Sequence, residues 1–283
     1  MSANDSSALD ATPPPVFGVV GSPFAAANSL SPVMFAAAFA ACNITAYYVP
    51  LTIRERSVRK SLRSLARLGF AGVNVTTPYK AIAAEIADTR SEAVIASGVA
   101  NTLTVDRNGH VHAEATDGQG LRAALAAHHI DVGGATVTLI GAGGVSSDIA
   151  ITLAQAGVSR IGIWNRTVDR AHALAERVAA FSPTLTLEVF DKLPIGDEAH
   201  IVVCAVPAGS MREHVMDIVA GRSLVVDLAY QHDRLPTELI RAAQSRGVAV
   251  IDGRELLVRQ GAAAFTHWMS QPAPVEVMMR AVS

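Results

Sequence analysis

Only three of the 23 basic residues in this chain are lysines: Lys60, Lys80 and Lys192. Where arginine is the habitual cation, a lysine in a conspicuous place matters, because an ammonium exchanges its proton and a guanidinium effectively does not. Lys80 ends the run Asn74-Val75-Thr76-Thr77-Pro78-Tyr79-Lys80, just past an expected strand, where open α/β sheets hold their ligands. From periodicity alone it reads equally as an ordinary lysine at a helix start. Lys60 lies on an arginine-rich helix face and is read as solvated. Asp117, in Ala115-Thr116-Asp117-Gly118-Gln119-Gly120, offers a carboxylate in a matching setting. It suits a helix N-cap, or a partner that holds an ammonium and tunes it for proton transfer.

A second group of residues suits a phosphate. Thr136–Ile140 has the pattern of a buried strand and runs into Gly141-Ala142-Gly143-Gly144-Val145 and a helix. Such a turn leaves backbone N–H groups free at a helix N-terminus, where a pyrophosphate is favoured. Gly141 and Gly143 fill the first two positions of G-x-G-x-x-G, and Ser146, still small, replaces the third glycine. A tight turn without a ligand and a methyltransferase-type nucleotide site are the competing readings. The tip of the following strand discriminates between cofactors. An NAD site places a carboxylate there for the ribose hydroxyl, whereas this chain has Asn165-Arg166-Thr167, with Arg170 a turn later. A guanidinium with amide and hydroxyl donors suits a 2′-phosphate, so the loop reads as built for NADP. The bland alternative is a solvated surface arginine.

The elements that must position these groups follow a strand–turn–helix rhythm. Val16–Gly21 reads as a buried strand, Ser31-Pro32 as a helix start with Ser31 as N-cap, and Arg54–Leu68 as an amphipathic helix. Strand Gly72–Thr76, helices Lys80–Ala87 and Ser91–Ala96, and a hairpin of Asn101–Val105 with His110–Glu114 follow. After helix Gly120–His128, apolar runs at Thr136–Ile140, Arg160–Trp164, His200–Val206, Ser223–Leu228 and Val248–Ile251 predict a doubly wound parallel sheet. Glu255–Phe265 and Val275–Val282 read as closing helices. The expectation is an α/β protein of two domains facing across a cleft. Residues 1–15 form a disordered tail, 16–119 a substrate domain and 120–253 a Rossmann-like NADP domain, while the helices of 254–283 fold back onto the first.

Composition sets the outer bounds. The 283 residues are 50% hydrophobic and 17% charged, which excludes a largely disordered chain. A net charge of −2 without a basic block argues against nucleic acid or a polybasic membrane contact. No apolar stretch reaches the roughly 18 residues of a membrane span. Cys42 and Cys204 lie far apart, and the nine histidines form no metal-binding pair, so no metal is expected. These features fit a cytoplasmic monomer or homodimer acting on a small molecule.

From Val16 to the C-terminus the motifs resemble the shikimate dehydrogenase family. Ser29-Leu30-Ser31-Pro32 is similar to the family's S-x-S-P, which implies that Ser29 and Ser31 take a substrate carboxylate. Asn74–Lys80 resembles N-V-T-x-P-x-K, which implies a substrate contact for Thr76 and a catalytic role for Lys80. Gly98–Thr102 resembles G-A-V-N-T, placing Asn101 on the substrate, and Thr116-Asp117 matches the end of N-T-D, making Asp117 the partner of Lys80. Tyr230 and Gln260 match the remaining substrate contacts. On the cofactor side the resemblance implies contacts from Gly141, Ala142, Gly143, Gly144, Val145, Asn165, Arg166, Thr167, Arg170, Val206 and Gly253. Four departures mark this chain: Phe35-Ala36 replaces the usual His-Asn, Ala115 an asparagine, Cys204-Ala205-Val206 an N-A-T, and Glu255 a glycine before the M-L-V-like stretch. A different supporting shell and nicotinamide side are therefore expected. The implied activity is reversible NADPH-dependent reduction of 3-dehydroshikimate to shikimate, with Lys80 moving the proton and NADPH the hydride. A paralogue acting on quinate or an aminoshikimate, and a non-catalytic NADP-binding sensor, are the alternatives.

Overall fold

The computed structural model describes residues 13–194, 198–231, 233 and 235–283. The expected disordered tail falls outside the described residues over positions 1–12, and Pro15 already offers its carbonyl to the Tyr47 N–H at 3.0 Å.

The first half of the chain runs β1 (Val16–Gly21), α1 (Pro23–Ala27), α2 (Ser31–Ala41), β2 (Tyr47–Thr52), α3 (Val58–Arg67), β3 (Phe70–Val75), α4 (Lys80–Ile86), β4 (Thr89–Arg90), α5 (Glu92–Ser97), β5 (Thr102–Val105) and β6 (Val111–Glu114). These strands make one sheet in the order β2-β1-β3-β5-β6-β4. β1 pairs in parallel with β2 and β3, and β5 runs antiparallel to β3. The β1 strand is buried almost throughout because helices cover both faces of the parallel part, which is why it reads as an unbroken apolar run.

The second half runs α6 (Asp117–Ala127), β7 (Thr136–Ile140), α7 (Gly144–Gln155), β8 (Arg160–Trp164), α8 (Val168–Phe181), β9 (Thr186–Phe190), β10 (Ile201–Cys204), α9 (Val215–Ile218), β11 (Leu224–Asp227), α10 (Glu238–Ser245), β12 (Ala249–Ile251), α11 (Gly253–Met269) and α12 (Val275–Val282). Its sheet is wholly parallel in the order β12-β11-β10-β7-β8-β9. The expected doubly wound sheet is thus present, and its strand order reverses between β7 and β10. The glycine loop leaves the end of β7, at that switch point, where such sheets bind ligands.

The closing helices return to the first sheet. Val258, Phe265, Met278 and Val282 share one buried cluster with Phe17, Met34, Phe35 and Phe39. α11 also lies along α6, so both domains rest on it.

Local structure differs from the sequence reading in several places. Ser31 is the first residue of α2 and not its cap; Leu30 holds that position, and Ser31 donates its N–H to Ser29 Oγ at 3.2 Å. An unforeseen short helix, α1, precedes it, capped by Ser22. The stretch 54–68 opens with a 3₁₀ turn at Glu55–Ser57 before α3. The edge strands β2 and β9 escaped the reading because they are half exposed and lack a continuous apolar run. α6 starts at Asp117, three residues before the expected position, so the boundary placed between 119 and 120 lies inside a helix.

Candidate active site

Lys80 is the first residue of α4, and the backbone around it is firmly held. The Thr76 N–H bonds the Val20 carbonyl at 2.8 Å, the Tyr79 hydroxyl donates to the Ile53 carbonyl at 2.7 Å, and the Lys80 carbonyl accepts from the Ala100 N–H at 2.9 Å. The Lys80 side chain is only 10% exposed, and its Nζ lies 2.5 Å from Asp117 Oδ2, itself on a carboxylate 14% exposed. A buried ammonium needs such a partner to remain charged. Asp117 therefore spends its side chain on Lys80 and leaves the helix cap to others.

The pair lies on the wall of a cavity of about 220 Å³ between the two sheets. Ser29, Ser31, Thr76, Asn101, Tyr230 and Gln260 line the same space, so the eight residues expected at catalytic and substrate positions meet in one place. Val145 and Gly253 reach it from the cofactor side, and Val19, Leu228, Leu256 and Leu257 supply apolar wall. The Tyr230 hydroxyl, carried by the second domain, bonds Ser29 and the Leu30 backbone of the first, and burial raises its pKa.

Part of this polar lining is already spoken for. Asn101 Oδ1 accepts from the Thr116 N–H at 2.7 Å and its hydroxyl at 3.1 Å, while Asn101 Nδ2 donates to Gln260 Oε1 at 3.2 Å. Below them Asn74 donates to the Thr102 hydroxyl at 3.0 Å and accepts from the Tyr48 hydroxyl at 2.7 Å. Tyr48, unremarked in the sequence, also bonds Ser31, and its pKa is raised chiefly by burial. Phe35 stacks on Tyr48 with ring centroids 4.4 Å apart, so the aromatic found in place of histidine buttresses the ring that supports Ser31.

The other departures are also accounted for. Ala115 is 2% exposed in the core under the hairpin. Cys204 is buried, and burial pushes its thiol up to about 12, which makes it an inert filler. Glu255 does not line the cavity: its carboxylate binds His128 Nε2 at 2.9 Å and Arg259 Nε at 2.7 Å, tying α11 to the end of α6. Leu256 and Leu257, which follow it, line the cavity instead.

The glycine loop has the shape a dinucleotide phosphate requires. Gly141 has φ of 108°, a conformation open to glycine, and it packs beside the Val206 side chain and the Ala205 carbonyl. Space beyond Gly143 is open, and the first-turn N–H groups of α7, Gly144 and Val145 among them, have no intrahelical acceptor. Ser146 Oγ accepts from the Gly143 N–H at 3.2 Å and closes the turn. Asn165 differs from expectation in its use. Its oxygen accepts from the Ala142 N–H at 3.1 Å and its amide donates to the Thr167 carbonyl at 2.8 Å, so it shapes the loop. Arg166 and Thr167 follow Asn165 as exposed residues and Arg170 stands exposed in the first turn of α8, and neither arginine has an ion pair among the described residues. Free cations beside open N–H groups, with no carboxylate at the β8 tip, fit a phosphorylated dinucleotide.

One functional candidate was missed entirely. Asp148, on α7, is 1% exposed, and its Oδ2 accepts from the Gly118 N–H at 2.7 Å. Burial, reinforced by the charge of Asp117, pushes it up to about 7. An aspartate followed by Ile149, Ala150 and Ile151 on a buried helix face was the available signal.

A buried lysine paired with a carboxylate, and a glycine loop after a parallel strand, fit a nicotinamide-dependent oxidoreductase of the two-domain α/β class. Sequence models of the shikimate dehydrogenase substrate binding domain, of shikimate/quinate 5-dehydrogenase and of the shikimate 5′-dehydrogenase C-terminal domain match residues 19–103, 124–236 and 253–282. The shikimate dehydrogenases (NADP(+)) of Rubrobacter xylanophilus and Methanothrix thermoacetophila are 33% and 36% identical to it, over 94% of this chain and 94% and 96% of theirs. The chain belongs to the shikimate dehydrogenase family. The crystal structure of the Thermus thermophilus shikimate 5-dehydrogenase with NADP(H) and shikimate superposes with a TM-score of 0.80 at 30% identity, covering 95% of this chain and 98% of that one.

Proposed function

We propose that the protein catalyses the reversible, NADP-dependent reduction of 3-dehydroshikimate to shikimate. The observation that carries the reading is the buried Lys80–Asp117 pair at 2.5 Å, on the wall of a cavity that Val145 and Ile149 of the nucleotide-side helix also line. Ser29 and Ser31 offer hydroxyls to the substrate carboxylate, supported by Tyr230 and Tyr48. Thr76, Asn101 and Gln260 orient the ring hydroxyls. The first turn of α7 holds the cofactor pyrophosphate, and Arg166, with Thr167 and Arg170, holds the 2′-phosphate. Bound there, the cofactor supplies the hydride. Lys80 donates its proton to the carbonyl oxygen as that oxygen gains charge, and in the reverse direction it accepts the hydroxyl proton. Asp117 keeps the ammonium in place and compensates its charge in both directions. The apolar side chains of Val19, Leu228, Leu256 and Leu257 exclude water from the reacting carbon.

Steady-state turnover of shikimate, quinate and aminoshikimate with NADP and NAD tests the reading. The expected result is the highest kcat/KM with shikimate and NADP. Equal or better turnover of quinate assigns the protein to the quinate branch, and no turnover of any of the three overturns the proposal. A monomer or homodimer in the cytoplasm belongs to the same reading; among the described residues no helix is long and apolar enough to cross a membrane.

A further inference from the structure

We infer that Asp148 is a positioning residue of the reaction: as a carboxylate it holds the start of α6 through the Gly118 N–H, and so fixes Asp117 against Lys80. This rests on the reading of Lys80 as the proton carrier.

The need for such a residue arises at the α6 N-terminus. A helix start leaves N–H groups without acceptors, and a side chain at the cap normally takes one of them. Here Thr116 stands at the cap without making that bond, because its hydroxyl is turned to Thr102 and Asn101. Asp117 could have turned back onto its own helix, but its carboxylate faces Lys80. The vacant role is filled from another element, by Asp148 of α7, at 2.7 Å. Gly118 makes the approach possible: a Cβ there would collide with Thr152 Oγ1 and lie 3.0 Å from Asp148 Oδ1. The helix that begins at the phosphate loop therefore also anchors the residue that pairs with the catalytic lysine.

Asp148 does more than cap. The charged groups bearing on it are Asp117 and Arg122 from α6 and Lys80 from α4. On the α5 side α7 presents Ser147, bonded to the Ser97 carbonyl at 2.6 Å, and Arg177 of α8 lies against the neighbouring Gly98. Two carboxylates thus face one ammonium. Ionised Asp148 strengthens the bond to Gly118, since a charged acceptor at a helix N-terminus holds more tightly than a neutral one. The Lys80 ammonium in turn favours the ionised form of Asp148. Burial and Asp117 bring its ionisation up to about 7.

The test is the pH dependence of kcat for 3-dehydroshikimate reduction in the wild type, Asp148→Asn and Asp148→Ala. Wild-type kcat is expected to fall on the acid side with a midpoint near neutrality. Asp148→Asn keeps an oxygen for the Gly118 N–H but cannot ionise, so the acid limb disappears, and kcat on the alkaline plateau falls about three- to ten-fold, the worth of a weakened hydrogen bond. Asp148→Ala falls further at every pH, with the substrate KM changed about two-fold or less in both variants. An unchanged acid limb in Asp148→Asn, or wild-type kcat in Asp148→Ala, overturns the proposal. Thermal melting gives a readout independent of turnover. The ionisation of Asp148 lies above its unfolded value of 3.8, so wild-type stability is lost relative to Asp148→Asn as pH rises from there to about 7, and the difference is constant above. A stability difference that does not vary with pH means that Asp148 does not titrate in the fold, and overturns the inference. Absence of turnover in a wild type that still shows this pH-dependent difference counts against the reading of Lys80 instead.

Discussion

At the scale of single residues, the proposed chemistry rests on two cations with opposite requirements. Lys80 must gain and lose a proton, and it is buried against Asp117. Lys80→Ala is expected to lower kcat by about 10²- to 10⁴-fold, the usual worth of a general acid–base group. The substrate KM should change far less in initial-rate measurements. Arg166 must never lose its proton, and it stands exposed at the β8 tip with no ion pair among the described residues. A charge-assisted bond from it to a 2′-phosphate, as proposed, would contribute roughly 1.5–3 kcal/mol, so Arg166→Ala should weaken NADP binding by about one to two orders of magnitude. NAD lacks that phosphate, and its kcat/KM should barely move. Titration of both cofactors against the variant checks this. Residue identity made both candidates legible, since the scarcity of lysine and the missing carboxylate after β8 are visible in the chain itself. The uses of Asn165 and Asn101 were not legible, because a carboxamide bonds whatever the fold brings near it.

At the scale of elements, the packing of α6 on α7 governs the site. Gly118 sits where the two helices touch, and a methyl group there meets Thr152 Oγ1 and Asp148. Gly118→Ala is expected to cost about 1–3 kcal/mol, the range for overpacking a close contact. It should lower the melting temperature and reduce kcat together, because the shift that relieves the clash moves Asp117. A melting curve with a parallel activity assay reads both. Most elements were legible: buried strands such as β1, β7 and β10 are continuous apolar runs, and a loop of small residues after β7 marks the nucleotide end of the sheet. The edge strands β2 and β9 were not, since half-exposed strands carry no strong period and are specified by the neighbour they pair with.

At the scale of the whole molecule, the two domains share a floor, α11, and meet again above the cavity where Tyr230 reaches Ser29. The proposed substrate site lies in this cleft. Tyr230→Phe removes the hydroxyl that bonds Ser29 and the Leu30 backbone across it and leaves the ring. The expected result is a rise of about two- to ten-fold in substrate KM, matching roughly 0.5–1.5 kcal/mol for one hydrogen bond, with little loss of thermal stability. Initial rates and melting curves of the variant decide it. An unchanged KM would mean that the cleft is held by the α11 floor alone.

The sequence by itself determined the class of fold, the position of the glycine loop, a cationic β8 tip without a carboxylate, and Lys80 as the candidate proton carrier. Each of these is written locally, in the period of an apolar run, a glycine after a strand, or the charge at a strand tip. Tertiary structure alone decided how the polar groups are spent. It chose Asp117 for Lys80 rather than for the cap of α6, turned Glu255 away from the cavity onto His128, and set Phe35 against Tyr48. It also brought Asp148 onto the Gly118 N–H, next to the pair, from 30 positions along the chain. The physical reason is that a buried donor or acceptor must find a partner, and the nearest one in space has no fixed relation to its place in the sequence.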